Sequence, residues 1–144
     1  MTITAETIFR IANMIAMLGW ILLILLPRWR GTLLVVRNGS LSLALAVTYA
    51  ILLVLFLFQA EGGFDSLQGV SMLFSNPYVL LAGWIHYLAF DLLIGCWEVH
   101  DAQHRGLSHL VIIPSLVCTF LIGPAGYVLY RVTRAVVSGK SVAD

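Results

Sequence analysis

The stretch from His86 to His104, HYLAFDLLIGCWEVHDAQH, begins inside an apolar segment long enough to cross a bilayer, yet it carries Asp91, Glu98 and Asp101. An ionised side chain at the centre of a spanning helix costs about 2.5–3.5 kcal/mol on insertion scales, and such residues turn towards the protein interior. Depth separates the three acids. At about 1.5 Å of rise per residue from Pro77, His86 falls near the midplane of a membrane and Asp91 slightly beyond it. Glu98, Asp101 and His104 approach the far interface.

At the helical period the acids also share a face. Trp84, Asp91 and Glu98 stand seven residues apart, Tyr87 lies one turn before Asp91, and Asp101 follows Glu98 by three, with His86 at the edge of the stripe. The opposite face carries Ile85, Leu88, Ala89, Leu92 and Val99. Lipid offers no hydrogen-bond partners, so the polar face must meet other helices or a wet cavity. Two explanations follow. The stripe is a hydrogen-bonded network that fastens helices together, or it is an acid–base or metal site. Two carboxyls in one low-dielectric site can divide the roles of acid and base.

Composition supports a membrane setting. The 144-residue chain is 60% hydrophobic and 10% charged, with a mean hydropathy of +0.97. Soluble domains carry about a quarter charged residues. A net charge of +1 supplies no basic surface for nucleic acid. Cys96 and Cys118 sit in apolar runs and read as buried thiols rather than a disulfide or zinc pair.

A spanning helix needs about 20 mostly apolar residues, and four stretches qualify: 8–26, 40–60, 77–101 and 107–130. The expected fold is an all-α integral membrane protein, a single-domain bundle of four transmembrane helices. Asn76 and Pro77 fit the N-cap and first position of the third helix. The first run lacks a cationic leader and a small-residue cleavage site, so it reads as a retained span. This pattern favours the bacterial inner membrane. The segment Glu61–Ser75 reads as a surface loop, or as a lid lying in the interface. In the fourth stretch, Pro114 and Gly123-Pro124-Ala125-Gly126 predict a kinked helix with close neighbours. On a four-span layout the cations divide evenly. Arg28, Arg30, Arg37 and Arg105 lie on one side and Arg10, Arg131, Arg134 and Lys140 on the other, so the positive-inside rule chooses no orientation.

A short turn around Gly106 brings His109 towards Glu98–His104. If a divalent metal is present, the candidate ligands are Asp91, Glu98, Asp101, His104 and His109, and their spacing selects no particular ion. His100-Asp101-Ala-Gln-His104 has the histidine spacing of the zinc-protease motif, but aspartate stands where that motif has glutamate, at a helix end. Haem ligation by His86 and His109 ranks low because the first two helices contain no histidine. A proton or ion carrier lacks polar residues to continue a path.

The run Asn76-Pro77-Tyr-Val-Leu-Leu-Ala-Gly-Trp84-Ile-His86-Tyr87-Leu-Ala-Phe90-Asp91-Leu, followed by Trp97-Glu98, Asp101, His109, Pro114, Thr119-Phe120 and Gly123-Pro124-Ala-Gly126, resembles a known pattern. It is that of the small membrane proteins related to plant neoxanthin synthase, the abscisic-acid-deficiency-4-like family. The likeness is strongest in the second half, and the span layout extends it over the chain. The resemblance implies a carotenoid-modifying isomerase that converts an epoxide into an allene and a hydroxyl, with no cofactor required. On this reading Asp91 is one acid–base partner and Glu98 or Asp101 the other. His86 orients or relays, His109 caps the site, and Trp84 and Tyr87 line the substrate pocket. The expected partners are a carotenoid or other polyisoprenoid and membrane lipids, and a homodimer enclosing a larger pocket suits so small a bundle. The alternative is a non-catalytic carotenoid- or lipid-binding module or pathway subunit.

Overall fold

The computed structural model describes residues 4–138 and is all-helical over them. Three segments are long and apolar enough to cross a membrane: Ala5–Leu25, Arg30–Gln59 and Pro77–His104. The first is helix α1 (Ala5–Leu25), capped by the Thr4 side chain. The second opens with the short α2 (Arg30–Thr32) and a π-helical stretch, Leu33–Arg37. It continues through α3 (Ser40–Phe56) and a 3₁₀ turn, Leu57–Gln59. The third is α5 (Pro77–His104), with Asn76 Oδ1 accepting from the Tyr78 and Val79 amides and Pro77 in the first turn, as the sequence predicts. The connection before it folds into a short helix, α4 (Leu67–Leu73), capped by Ser66. Cys96 and Cys118 are free thiols.

Helix α5 is the axis of the bundle. Its Ala82, Ile85, Leu88 and Ala89 pack with Ala12 and Ala16 of α1 and Leu45 and Leu52 of α3. Further along, Leu92, Cys96 and Val99 pack with Trp20, Leu23, Ile112, Leu116 and Tyr130. Phe9 meets Trp84 near the start of both helices, so α1 runs parallel to α5. Phe56 stacks on Tyr78, so α3 runs antiparallel.

The fourth expected span differs from its prediction. Instead of one kinked helix over 107–130, the chain forms α6 (His109–Ile122) and α7 (Pro124–Ser138), separated at Gly123. The direction reverses there. Gly123 approaches Asp91, whereas Tyr127 meets Trp97 and Tyr130 meets Asp101, so α7 climbs back along α5 towards the end where α6 began. Gly126 lies directly against the Thr119 backbone, a contact that no continuous helix permits between residues seven apart. Two local features produce the turn. Gly123 adopts φ +44°, a region that L side chains rarely enter, and Pro124 cannot donate the amide that would continue α6. The 14 residues of α6 rise only about 21 Å, short of a hydrocarbon core of about 30 Å.

The composition of α7 fits this arrangement. Its inward stripe is Gly126, Tyr130 and Arg134, while Val128, Val132, Val136 and Val137 face outward. A soluble amphipathic helix has the opposite polarity; a helix with an apolar outside and polar inside belongs against lipid.

The hairpin also changes the charge balance between the two ends. Arg131 and Arg134 move to the end that holds Arg28, Arg30, Arg37 and Arg105, which leaves Arg10 at the other, paired with Glu6 at 2.8 Å. Lys140 lies outside the described residues. The even split read from four crossings is therefore corrected: among the described residues, every arginine but Arg10 lies at one end.

Candidate active site

The three carboxylates of α5 face the α6–α7 hairpin, each at a different level. Asp91, near the middle of the helix, is 8% exposed and sits beneath the hairpin tip. A Cβ on Gly123 would come within 2.6 Å of Asp91 Oδ1, so glycine lets the backbone close over the carboxylate. Tyr87, one turn earlier, interacts with Asp91, and its hydroxyl lies 3.4 Å from the Phe120 carbonyl, which it reaches as donor. Asp91 Oδ2 is buried with no hydrogen-bond partner among the described residues.

Glu98 is fully buried, two turns beyond Asp91. The Thr119 hydroxyl donates to its Oε1 at 2.9 Å, while Oε2 is buried without a partner among the described residues. Asp101, at the cationic end, is saturated instead. Tyr130 donates to its Oδ2 at 2.6 Å, Arg134 approaches the same oxygen at 3.3 Å, and Arg105 Nε reaches both oxygens at 3.0 and 3.1 Å. Asp101 thus ties α7 to α5.

The remaining candidates lie elsewhere. His86 packs against Tyr49 of α3 and Phe90, on a different face from Asp91. His109 binds the Ile24 carbonyl of α1 at 2.8 Å rather than approaching Glu98–His104. His104 is exposed and faces His100 edge-on. The five conditional metal ligands are therefore not gathered together, and no cluster of three His, Cys, Asp or Glu suited to a metal occurs among the described residues.

Trp84 and Tyr87 line an open apolar groove of about 400 Å³ with Phe74, Leu80, Gly83 and Leu121. Leu80 and Trp84 also border a second groove of about 320 Å³ that runs towards Glu6 and Phe9. Trp84 is anchored at its edge, donating from Nε1 to Asn13 Oδ1 at 3.2 Å. The Tyr87 hydroxyl stands between the first groove and Asp91.

The sequence reading did not anticipate Thr119, Gly123, Tyr130 and Arg134 as partners of these carboxylates. One signal was present: Tyr127, Tyr130, Arg131 and Arg134 recur at three- and four-residue spacing among valines and leucines.

A polytopic helical membrane protein with partly unsatisfied carboxylates beneath a helical hairpin is the class that the fold and site define. The model of the ABA DEFICIENT 4-like family matches residues 7–130, and the chain belongs to that family. No curated protein and no solved structure matches it.

Proposed function

We propose that the protein is a membrane-embedded carotenoid-modifying enzyme of the bacterial inner membrane, catalysing a neoxanthin-synthase-like acid–base isomerisation. The observation that carries this reading is the pair Asp91 and Glu98. Each is buried and each keeps one carboxylate oxygen without a partner among the described residues, and Tyr87, one turn from Asp91, lines an apolar groove. A purely structural network would satisfy both oxygens, as it does at Asp101.

The chemistry needs two groups. One carboxyl delivers a proton to an epoxide oxygen as its C–O bond breaks. The other removes a proton from the adjacent polyene carbon, and the electron pair of that C–H bond becomes part of the allene. One proton enters and one leaves, so the product is an isomer and no electron acceptor is needed. Asp91 and Glu98 are the partners in this proposal. Asp101 is occupied by its arginines and tyrosine, and His86 and His109 take packing positions. Tyr87 positions the end group by its hydroxyl, and Trp84 holds the polyene. Exclusion of water at the hairpin tip protects the cationic centre that forms as the epoxide opens.

The test is expression in carotenoid-producing bacteria of the wild type beside Asp91→Asn and Glu98→Gln, with pigments resolved by chromatography. An isomeric pigment that appears with the wild type and vanishes in both variants is expected. Unchanged pigments throughout, with carotenoid co-purifying equally with all three proteins, would replace the enzyme by a binding module.

A further inference from the structure

A further groove lies away from the carboxylates. It measures about 680 Å³ and lies at the cationic end, between the π-helical stretch Leu33–Arg37 and the outward strip of α5. Its apolar lining is Leu33, Leu93, Ile94 and Trp97, and its polar lining is Arg37, Asn38 and His100. Leu93, Trp97 and His100 are successive exposed positions on one face of α5, so the groove runs from hydrocarbon depth to the headgroup level.

Arg37 differs from the arginines bound to Asp101. It is half-buried, with Nη1 donating to the Pro27 carbonyl at 3.4 Å and Nε buried without a hydrogen-bond partner among the described residues. No described carboxylate lies within ion-pair distance of it. Cys96 lines the groove beside Arg37, and its thiol donates to the Val36 carbonyl at 3.4 Å, which holds the π-helical turn against α5. A partly desolvated guanidinium favours an anion, and its planar fork matches phosphate. The π-helical turn that carries Arg37 is a geometry that recurs at functional positions.

We propose that this groove binds an anionic phospholipid, with its phosphate on Arg37 and His100 and an acyl chain along Leu33, Leu93, Ile94 and Trp97. The site is separate from the carboxylates and does not depend on the reaction proposed for them. A groove that joins an apolar wall to a guanidinium is complementary to a lipid of the leaflet that meets the arginine-rich end. A soluble phosphate ester would have no use for the apolar wall.

The experiment reconstitutes the protein in nanodiscs of equal phosphatidylglycerol and phosphatidylcholine and measures retained lipid by native mass spectrometry. The wild type is expected to retain phosphatidylglycerol preferentially. Arg37→Gln should lower that enrichment about five-fold, the effect of one interfacial cation. His100→Ala should lower it in the same direction and serves if Arg37→Gln does not fold. Arg10→Gln, at the opposite end, should leave it unchanged. The proposal is overturned by equal retention of the two lipids in the wild type, or by enrichment that survives both groove variants. Displacement of the lipid by inorganic phosphate would also overturn it, because the site would then be one for the free anion.

Discussion

Asp101 and the pair Asp91–Glu98 project from the same helix towards the same hairpin, yet their surroundings are opposite. Asp101 meets two arginines and a tyrosine, and both its oxygens are engaged. Among the described residues, Asp91 and Glu98 form no ion pair, and each retains a buried oxygen without a partner. A cation-paired carboxylate fastens elements together. An incompletely paired one retains the capacity to exchange protons with something else. The polar stripe of α5 thus divides into a cation-paired clamp at the arginine-rich end and an incompletely paired couple nearer the middle of the helix.

Substitution separates the two parts. Asp91→Asn or Glu98→Gln should reduce product formation by about 10²–10⁴-fold, the usual contribution of a positioned acid or base. Thermal unfolding in detergent should stay near wild type or rise, since each change removes a buried charge that lacks a full set of partners. Asp101→Ala should do the reverse. It removes the carboxylate that Tyr130, Arg105 and Arg134 share, and should cost about 3–5 kcal/mol of stability in the same unfolding measurement. A stable Asp101→Ala protein together with an unstable Asp91→Asn protein would invert the assignment.

Gly123→Ala tests the junction between the two parts. The added methyl group meets both a positive φ and the Asp91 carboxylate, so about 1–3 kcal/mol of strain is expected, together with a loss of product as the acid is displaced. Activity and melting temperature measured on one preparation should fall together. The smallest effect is expected at His86. It lies against Tyr49 and Phe90, away from the hairpin, so His86→Ala should change stability by no more than about 0.5 kcal/mol and leave the pigment pattern intact. Loss of the isomeric pigment in that variant would restore His86 to the reaction.

Much of this arrangement was legible in the sequence. Apolar length located the three spans, Asn76-Pro77 marked the start of α5, and the seven-residue spacing of Asp91 and Glu98 placed them on one face. The reversal at Gly123 was not legible by the same means. Apolar length does not distinguish one helix that crosses from two that go halfway and return, and Gly-Pro is compatible with a kink or a break. The decisive pattern lay at the expected end of the span, where Arg131 and Arg134 follow Tyr130. Once α7 turns back, these residues acquire α5 as their neighbour, and Asp101 acquires its clamp. The histidines were misleading for a related reason. Closeness in sequence to the acids did not fix their azimuth, and His109 faces α1 because α6 packs between α1 and α5.

The reversal at Gly123 has a consequence for how the chain is made. Because α7 ends at the level where α6 begins, Arg131 and Arg134 never have to be carried through the bilayer, and only the first three segments must thread across it. The inward stripe of α7 would be insoluble in hydrocarbon on its own, since an uncompensated arginine there is costly. Asp101 of α5 receives Tyr130 and Arg134 of that stripe. The hairpin thus depends on α5 for its place, and in docking there it covers Asp91 and Glu98.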